Sequence, residues 1–338
     1  MSELRNMLAD TAAKVLGARD VTWDKIAESG LCNVMVPEAS GGFGGGWEDA
    51  LPLFREMGAR AVALPVVETA IANRLLAACA LEPSDRAASF VTQAEGAVSE
   101  AAGFTGTLRN IPWDGEAAMI LGRSQVGDES WLLVVAASDT KSRAARGNLA
   151  GEPRGALAFE AAPIRMARWP AGEPHGFTQM GALARTCQIA GAMDAMLAMT
   201  IEHAKTRQQF GRAIGNFQAI QQQLAVFASE TAAVGAAAAA ASRAADRGDA
   251  SFEIAAAKLR ANRAVDVAAS VAHQVHGAIG ITKEHALHRY TQRLWSWKSE
   301  YGNDRRWAAE LGARVAARGA DNLWSDLTAM RGAATASP

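Results

Sequence analysis

The sequence predicts a mainly α-helical protein with a small β-domain set into its middle, and three features lead there. Apolar residues recur at helical spacing through roughly the first 85 residues and again from about 178 to 330. Between them, residues 86–177 lose that period and carry short β-prone pieces separated by Gly, Pro, Asp and Ser. The last eight residues, Arg331–Pro338, are small and polar and are expected to be disordered. The expected division is therefore 1–85, 86–177, 178–330 and a tail at 331–338.

In the first region Leu4, Met7, Leu8, Ala12 and Val15 lie on one helical face, with Thr11 the polar exception. A second helix begins near Trp23 and stops at Gly30, a residue suited to a C-terminal cap. The run from Val36 to Gly46 is too glycine-dense for helix or strand. After Gly46 a helix resumes with Trp47, Leu51, Phe54, Met57 and Ala61 on one side. In the middle region the strand signals are Trp131–Ala136, Ala156–Phe159 and Ile164–Ala167; the first strands are poorly marked. Beyond it, Ile220, Leu224 and Phe227, and then Ile254, Ala257, Ala261, Val265 and Ala268, mark long amphipathic helices. Breaks at 209–216, 246–250 and 277–280 leave short connections, as in an antiparallel bundle.

Composition removes several function classes. With 49% hydrophobic residues the chain can bury a large core, and a formal charge of -1 gives no basic footprint for nucleic acid or anionic lipid. Cys32, Cys79 and Cys187 are odd in number and far apart, which suits a reducing cytoplasm and plain packing. The N-terminus lacks the apolar core of a secretory signal. No uninterrupted apolar stretch of about 18 residues occurs, so no membrane span is expected. The alanine run 232–241 reads as the contact face of a helix.

Two segments carry most of the functional signal: Thr206-Arg207-Gln208-Gln209-Phe210-Gly211 and Gln274-Val275-His276-Gly277-Ala278-Ile279-Gly280. With Gly30-Leu31, Met35-Val36-Pro37-Glu38, Gly41-Gly42 and Leu64-Pro65-Val66-Val67-Glu68-Thr69, they make the chain resemble the acyl-CoA dehydrogenase family over nearly its whole length. The resemblance implies a helical N-domain, a β-barrel-like middle domain and a C-terminal four-helix bundle. It also implies FAD as cofactor and an acyl-CoA thioester as substrate, with electron-transfer flavoprotein as acceptor. Assembly is implied as a homodimer or tetramer, or as a heterotetramer with a longer subunit.

FAD needs cations, neutral donors and flat apolar surfaces together. Arg207 offers a planar fork of donors for phosphate oxygens, Phe210 an aromatic face, and Gly211 a backbone turn. In the resembling family the matching Arg and Phe grip the FAD of a neighbouring subunit. Gln209, Ile214, Phe217 and Gln218 match further contact positions, as do Gln274, Gly277 and Ala278. Ala278 replaces a second glycine that the family usually has. Without the resemblance, the first segment reads as a basic, Gln-rich helix start facing solvent, and the second as a helix end with a glycine stop. His273, His276, His285 and His288 fall at three-residue spacing, yet no carboxylate or cysteine joins them in a zinc-like pattern. His276, inside the second motif, reads as a contact or capping group.

The family's reaction removes a proton from Cα and a hydride from Cβ, with a Glu directly before Gly as base. Counting from Gln274 without gaps puts that position on Tyr301; a one-residue slip would make Glu300 the base. The alternative location, Met180-Gly181-Ala182-Leu183-Ala184-Arg185, holds no acid. The family's acid-Pro and Gly-Ser loop against the flavin is also missing, with Thr92-Gln93-Ala94-Glu95-Gly96 its nearest remnant. Both departures lie on the reactive side. They imply a short subunit that completes a neighbour's FAD site, as short members do beside longer, catalytically complete partners in breakdown of steroid side chains and other bulky acyl groups. A self-sufficient enzyme using Glu300, and a binding protein without FAD, are the other readings.

Overall fold

The computed structural model describes residues 3–18, 20–92, 94–99 and 101–328. The tail Arg331–Pro338 and Gln93 lie outside them. Four helices come first: α1 (Glu3–Leu16), α2 (Trp23–Ser29), α3 (Trp47–Ala59) and α4 (Val66–Ala78). The Thr22 hydroxyl accepts from Lys25 N to start α2, and Gly30, at φ 69°, ends it in the left-handed region where a side chain would strain. On α1 the buried row is Leu8, Ala12 and Leu16, while Met7 is 45% exposed. Leu4 and Val15 pack beside that row, so the inward face is the expected one with Met7 alone left outside.

Eight strands follow: β1 (Ala88–Phe90), β2 (Ala94–Ser99), β3 (Gly103–Pro112), β4 (Met119–Val126), β5 (Glu129–Ala136), β6 (Ser142–Ala144), β7 (Arg154–Ala162) and β8 (Ile164–Arg168). They form two four-stranded sheets, β1-β4-β5-β8 and β2-β3-β7-β6, in which only β1 and β4 run parallel. Phe104, Leu108, Leu157 and Phe159 of one sheet meet Ile120, Leu133 and Val135 of the other. The alternate residues Phe90, Leu121, Leu132 and Val134 face away from that layer and join the helical core. Burial on both faces explains the unbroken apolar run in β5. The edge strand β2 is mostly exposed and small-residued, so it lacks the alternation that marks a strand in sequence.

The remainder is helical: α5 (Phe177–Thr206), α6 (Gln218–Ala245), α7 (Ser251–His276), α8 (Leu287–Trp297), α9 (Asp304–Arg318) and α10 (Leu323–Thr328). Helix α6 is long and apolar enough to match a bilayer by length and composition, though it lies along α5 and α7 through Phe227, Val234, Ala238 and Ala241. Cys32 and Cys187 are buried, whereas Cys79 is half-buried, its thiol 3.5 Å from the Arg168 carbonyl.

Helices α3 and α5 touch backbone to backbone. A Cβ on Gly58 would stand 2.0 Å from the Gln188 carbonyl oxygen, and one on Gly191 1.8 Å from that of Arg55. Neither neighbour can yield, since both are helix backbone. Gly58→Ala is therefore expected to destabilise the protein by roughly 2 kcal/mol or more, read as a lower urea midpoint. Helix α3 is also tied to α6 by Asp246, at the end of α6, whose carboxylate accepts from Trp47 N (2.6 Å) and Glu48 N (2.9 Å) at the start of α3.

Candidate active site and cofactor arm

Between α5 and α6 the chain makes a small hairpin, β9 (Gln208–Gln209) and β10 (Arg212–Ala213). Its tip is Phe210-Gly211, both at positive φ (51° and 78°), the backbone that closes a two-residue hairpin with the right twist. Phe210 is 91% exposed, an aromatic ring held out in water on strained backbone. Arg207, at the base, is exposed and makes no hydrogen bond or ion pair through its side chain among the described residues. Gln209 and Gln218 are exposed too, and Phe217 lies half-buried beneath the Arg212 guanidinium at 4.1 Å. Gln274, Gly277 and Ala278 are exposed at the end of α7, where Gly277 has φ 62° and open space around it.

Ile214 departs from expectation. It is 8% exposed and packs on Ala204 and Val275. A branched chain buried there anchors the hairpin and presents no face outward. The other residues fit a flat, anionic dinucleotide supplied from outside the chain: a cation unpaired among the described residues, an aromatic ring that touches Phe217 edge-on and is otherwise exposed, and accessible backbone. His276 adds a buried polar atom, Nε2, that has no partner among the described residues.

The second region is interior, where all three parts of the chain meet. Glu300, in the turn after α8, accepts from Arg154 Nε (2.9 Å) and Asn148 Nδ2 (3.1 Å) on one oxygen. Its other oxygen accepts from Arg154 Nη2 (3.1 Å) and Arg185 Nε (2.8 Å). Arg185 also donates to Glu68 (2.6 Å), and Arg154 and Arg293 both donate to Glu152. The result is one continuous chain, Glu68–Arg185–Glu300–Arg154–Glu152–Arg293, with equal numbers of each charge. It joins α4, α5, β7 with the loop before it, and α8. Burial would raise the Glu300 carboxyl, but the Arg185 and Arg154 charges and the hydrogen bonds to it outweigh that and hold it far below the carboxylate range.

Tyr301, the position reached from Gln274 without gaps, stands at φ 56° and turns its ring inward. A Cβ on Gly181 of α5 would lie 2.5 Å from that ring, so the tyrosine rests flat on the helix backbone. Phe90 packs beside it at 5.6 Å and stacks on Phe177 at 4.9 Å. Burial pushes the Tyr301 phenol up, so it stays protonated. Lys258, buried on α7, fastens the same turn by donating to the carbonyls of Trp297 (2.9 Å) and Lys298 (3.2 Å). A cavity of about 410 Å³ remains beside Glu300, lined by Thr92, Asn148, Leu149, Arg154, Ser299 and Tyr301.

Sequence reasoning did not find Glu68, Asn148, Glu152, Arg154, Arg185, Arg293 or Lys258. One signal was available: Arg185 is the only charge between Phe177 and Asp194 of a mainly apolar helix, and a cation buried there must be paired. Of the tryptophans around the Glu300 turn, Trp297 and Trp307 are buried, and Trp295 is 38% exposed.

Two helical parts flanking a pair of facing sheets, with a hairpin arm at the end of the bundle, define the class of fold. The chain belongs to the acyl-CoA dehydrogenase family, an oxidoreductase family: its N-terminal domain profile matches residues 3–82 and its C-terminal domain profile residues 175–299. The chain is 29% identical over 293 residues to acyl-CoA dehydrogenase IpdE2 of Mycobacterium tuberculosis, covering 82% of this chain and 81% of the relative. It is 27% identical to IpdE2 of Mycolicibacterium smegmatis, covering 93% and 100%. Among solved structures, the ChsE4–ChsE5 complex of Mycobacterium tuberculosis shares the fold with a TM-score of 0.80 at 22% identity, over 94% of this chain and 98% of that one.

Proposed function

We propose that the chain is a subunit of an FAD-dependent acyl-CoA dehydrogenase and that it completes the FAD site of a longer, catalytic partner instead of running a reaction of its own. The observation that carries this reading is the filled base position. A general base needs a free lone pair and a proton affinity matched to its task. Both Glu300 oxygens are occupied by guanidinium or amide donors, and Tyr301 is a neutral phenol pressed on Gly181. The arm, in contrast, keeps Arg207, Gln209, Phe210, Phe217 and Gln218 outward, with Gln274, Gly277 and Ala278 beside the same end of the bundle. Bound FAD would supply a hydride acceptor for Cβ of the thioester, and a base would be needed for the proton on Cα. This chain's residues bind and orient; the base comes from the partner. A two-chain assembly is a form this fold takes, as in ChsE4–ChsE5.

The test is flavin content by visible absorption. The chain purified alone is expected to carry little FAD, and co-expression with a longer homologue to restore about one FAD per pair of chains. A full flavin per chain in the protein alone, bleached by an acyl-CoA, would overturn the reading. The self-sufficient alternative is favoured by one observation, the cavity beside Glu300. It requires that Glu300→Gln abolish turnover with FAD retained; the proposed function expects turnover of the assembled enzyme to survive.

A further inference from the structure

On the inner side of the arm three imidazoles lie against one another. His203, one turn before Arg207, has its ring 4.5 Å from that of His276, and His276 lies 4.6 Å from His285. The His276 Nδ1 is 2.8 Å from the Ala272 carbonyl oxygen. A carbonyl only accepts, so Nδ1 carries the proton, and Nε2 of the neutral ring is a lone pair. That Nε2 is buried without a partner among the described residues, an expensive arrangement unless something completes it.

Two tendencies oppose each other here. Burial pushes His276 down to about 4, helped by His203, His285 and His273 and opposed by the bond to Ala272. His203 is lowered by burial, then by His285 and Arg207. At neutral pH His276 is therefore uncharged, and His203 is shifted in the same direction. Yet the site sits at the C-terminal ends of α5 and α7, where carbonyl dipoles favour a cation. The charged and titratable groups around it are His203 from α5 and Arg207 just after it, His273 and His276 from α7, and His285 before α8, with Lys283 and Glu284 adjoining it in sequence. An anion arriving beside Arg207 supplies what holds the balance back, a negative charge.

We propose that the His203–His276–His285 stack is a proton-taking subsite for the phosphates of the dinucleotide that Arg207 grips, engaging them as an imidazolium with a proton drawn from solvent. This rests on the FAD reading above. The sign follows from linkage: a group whose pKa rises on binding makes binding tighter as pH falls, and the gain is lost as pH rises through the bound-state value.

The test is the FAD dissociation constant, read by flavin fluorescence between pH 6 and 8 on the protein with whichever partner loads it. The FAD phosphates stay ionised across this range, so a slope belongs to protein. Binding is expected to be about tenfold tighter at pH 6 than at pH 8, and His276→Leu to flatten the profile. His203→Leu, at a half-buried ring, gives the same readout if the first variant fails to fold. Arg207→Gln is expected to weaken binding at every pH. A flat profile, or a slope that survives both histidine variants, overturns the subsite while leaving the FAD reading in place. No FAD bound at any pH, alone or with a partner, overturns both.

Discussion

Replacing Arg185 with methionine is expected to cost roughly 3–5 kcal/mol of stability, the range for breaking a buried ion pair by removing one member. The size follows from what is left behind. Glu68, 1% exposed, loses the guanidinium 2.6 Å away, and Glu300 loses one of its two arginines. Methionine restores apolar volume but neither charge nor donors. Because the ionic chain joins all three parts of the molecule, the loss should appear as one lowered urea midpoint and not as early melting of a single part. Glu68→Gln in the Arg185→Met background is expected to recover part of it, since the stranded carboxylate is then gone.

Acid unfolding checks the same site from another side. The folded Glu300 carboxyl lies below its unfolded value, so it contributes stability that is present above the ordinary carboxylate pKa and lost as pH falls toward the folded one. The wild-type protein should therefore lose thermal stability below about pH 4.5 more steeply than Glu300→Gln. Equal slopes would show that the clamp contributes nothing.

The second large effect is on cofactor retention. Arg207→Gln is expected to weaken FAD binding in the assembled enzyme about 10- to 100-fold, the loss of one charge-assisted contact of roughly 1.5–3 kcal/mol. Phe210→Ala is expected to act in the same direction. Neither should move the melting temperature of the chain alone, because Phe210 is 91% exposed and Arg207 has no hydrogen bond or ion pair to lose among the described residues. A matching fall in stability would assign both residues to the fold and not to a ligand.

The helical ends were legible because their cause is local. Thr22, Gly30 and Gly46 bound helices through backbone and capping preferences that neighbouring residues supply. The arm was legible for a similar reason: the contiguous Arg207–Gly211 stretch makes one hairpin, and its residues need only point outward. Ile214 shows the limit, since whether a branched residue faces solvent or Ala204 and Val275 depends on helices far away in sequence. Strand β2 stayed hidden because its exposed, small residues carry no period.

The sequence alone determined which family the chain resembles, the helix, β, helix order and the residues of the arm, all of which depend on local propensity or on contiguous motifs. Only the tertiary structure decided the fate of the base position. Glu300 and Tyr301 are adjacent, and nothing near them says which turns inward or what meets it. Arg185 lies 115 residues away and Arg154 146 residues away, from a helix and a strand brought together only when the core closes. A carboxylate becomes a base or an anchor according to the charges packed around it, and those charges are assembled by the fold.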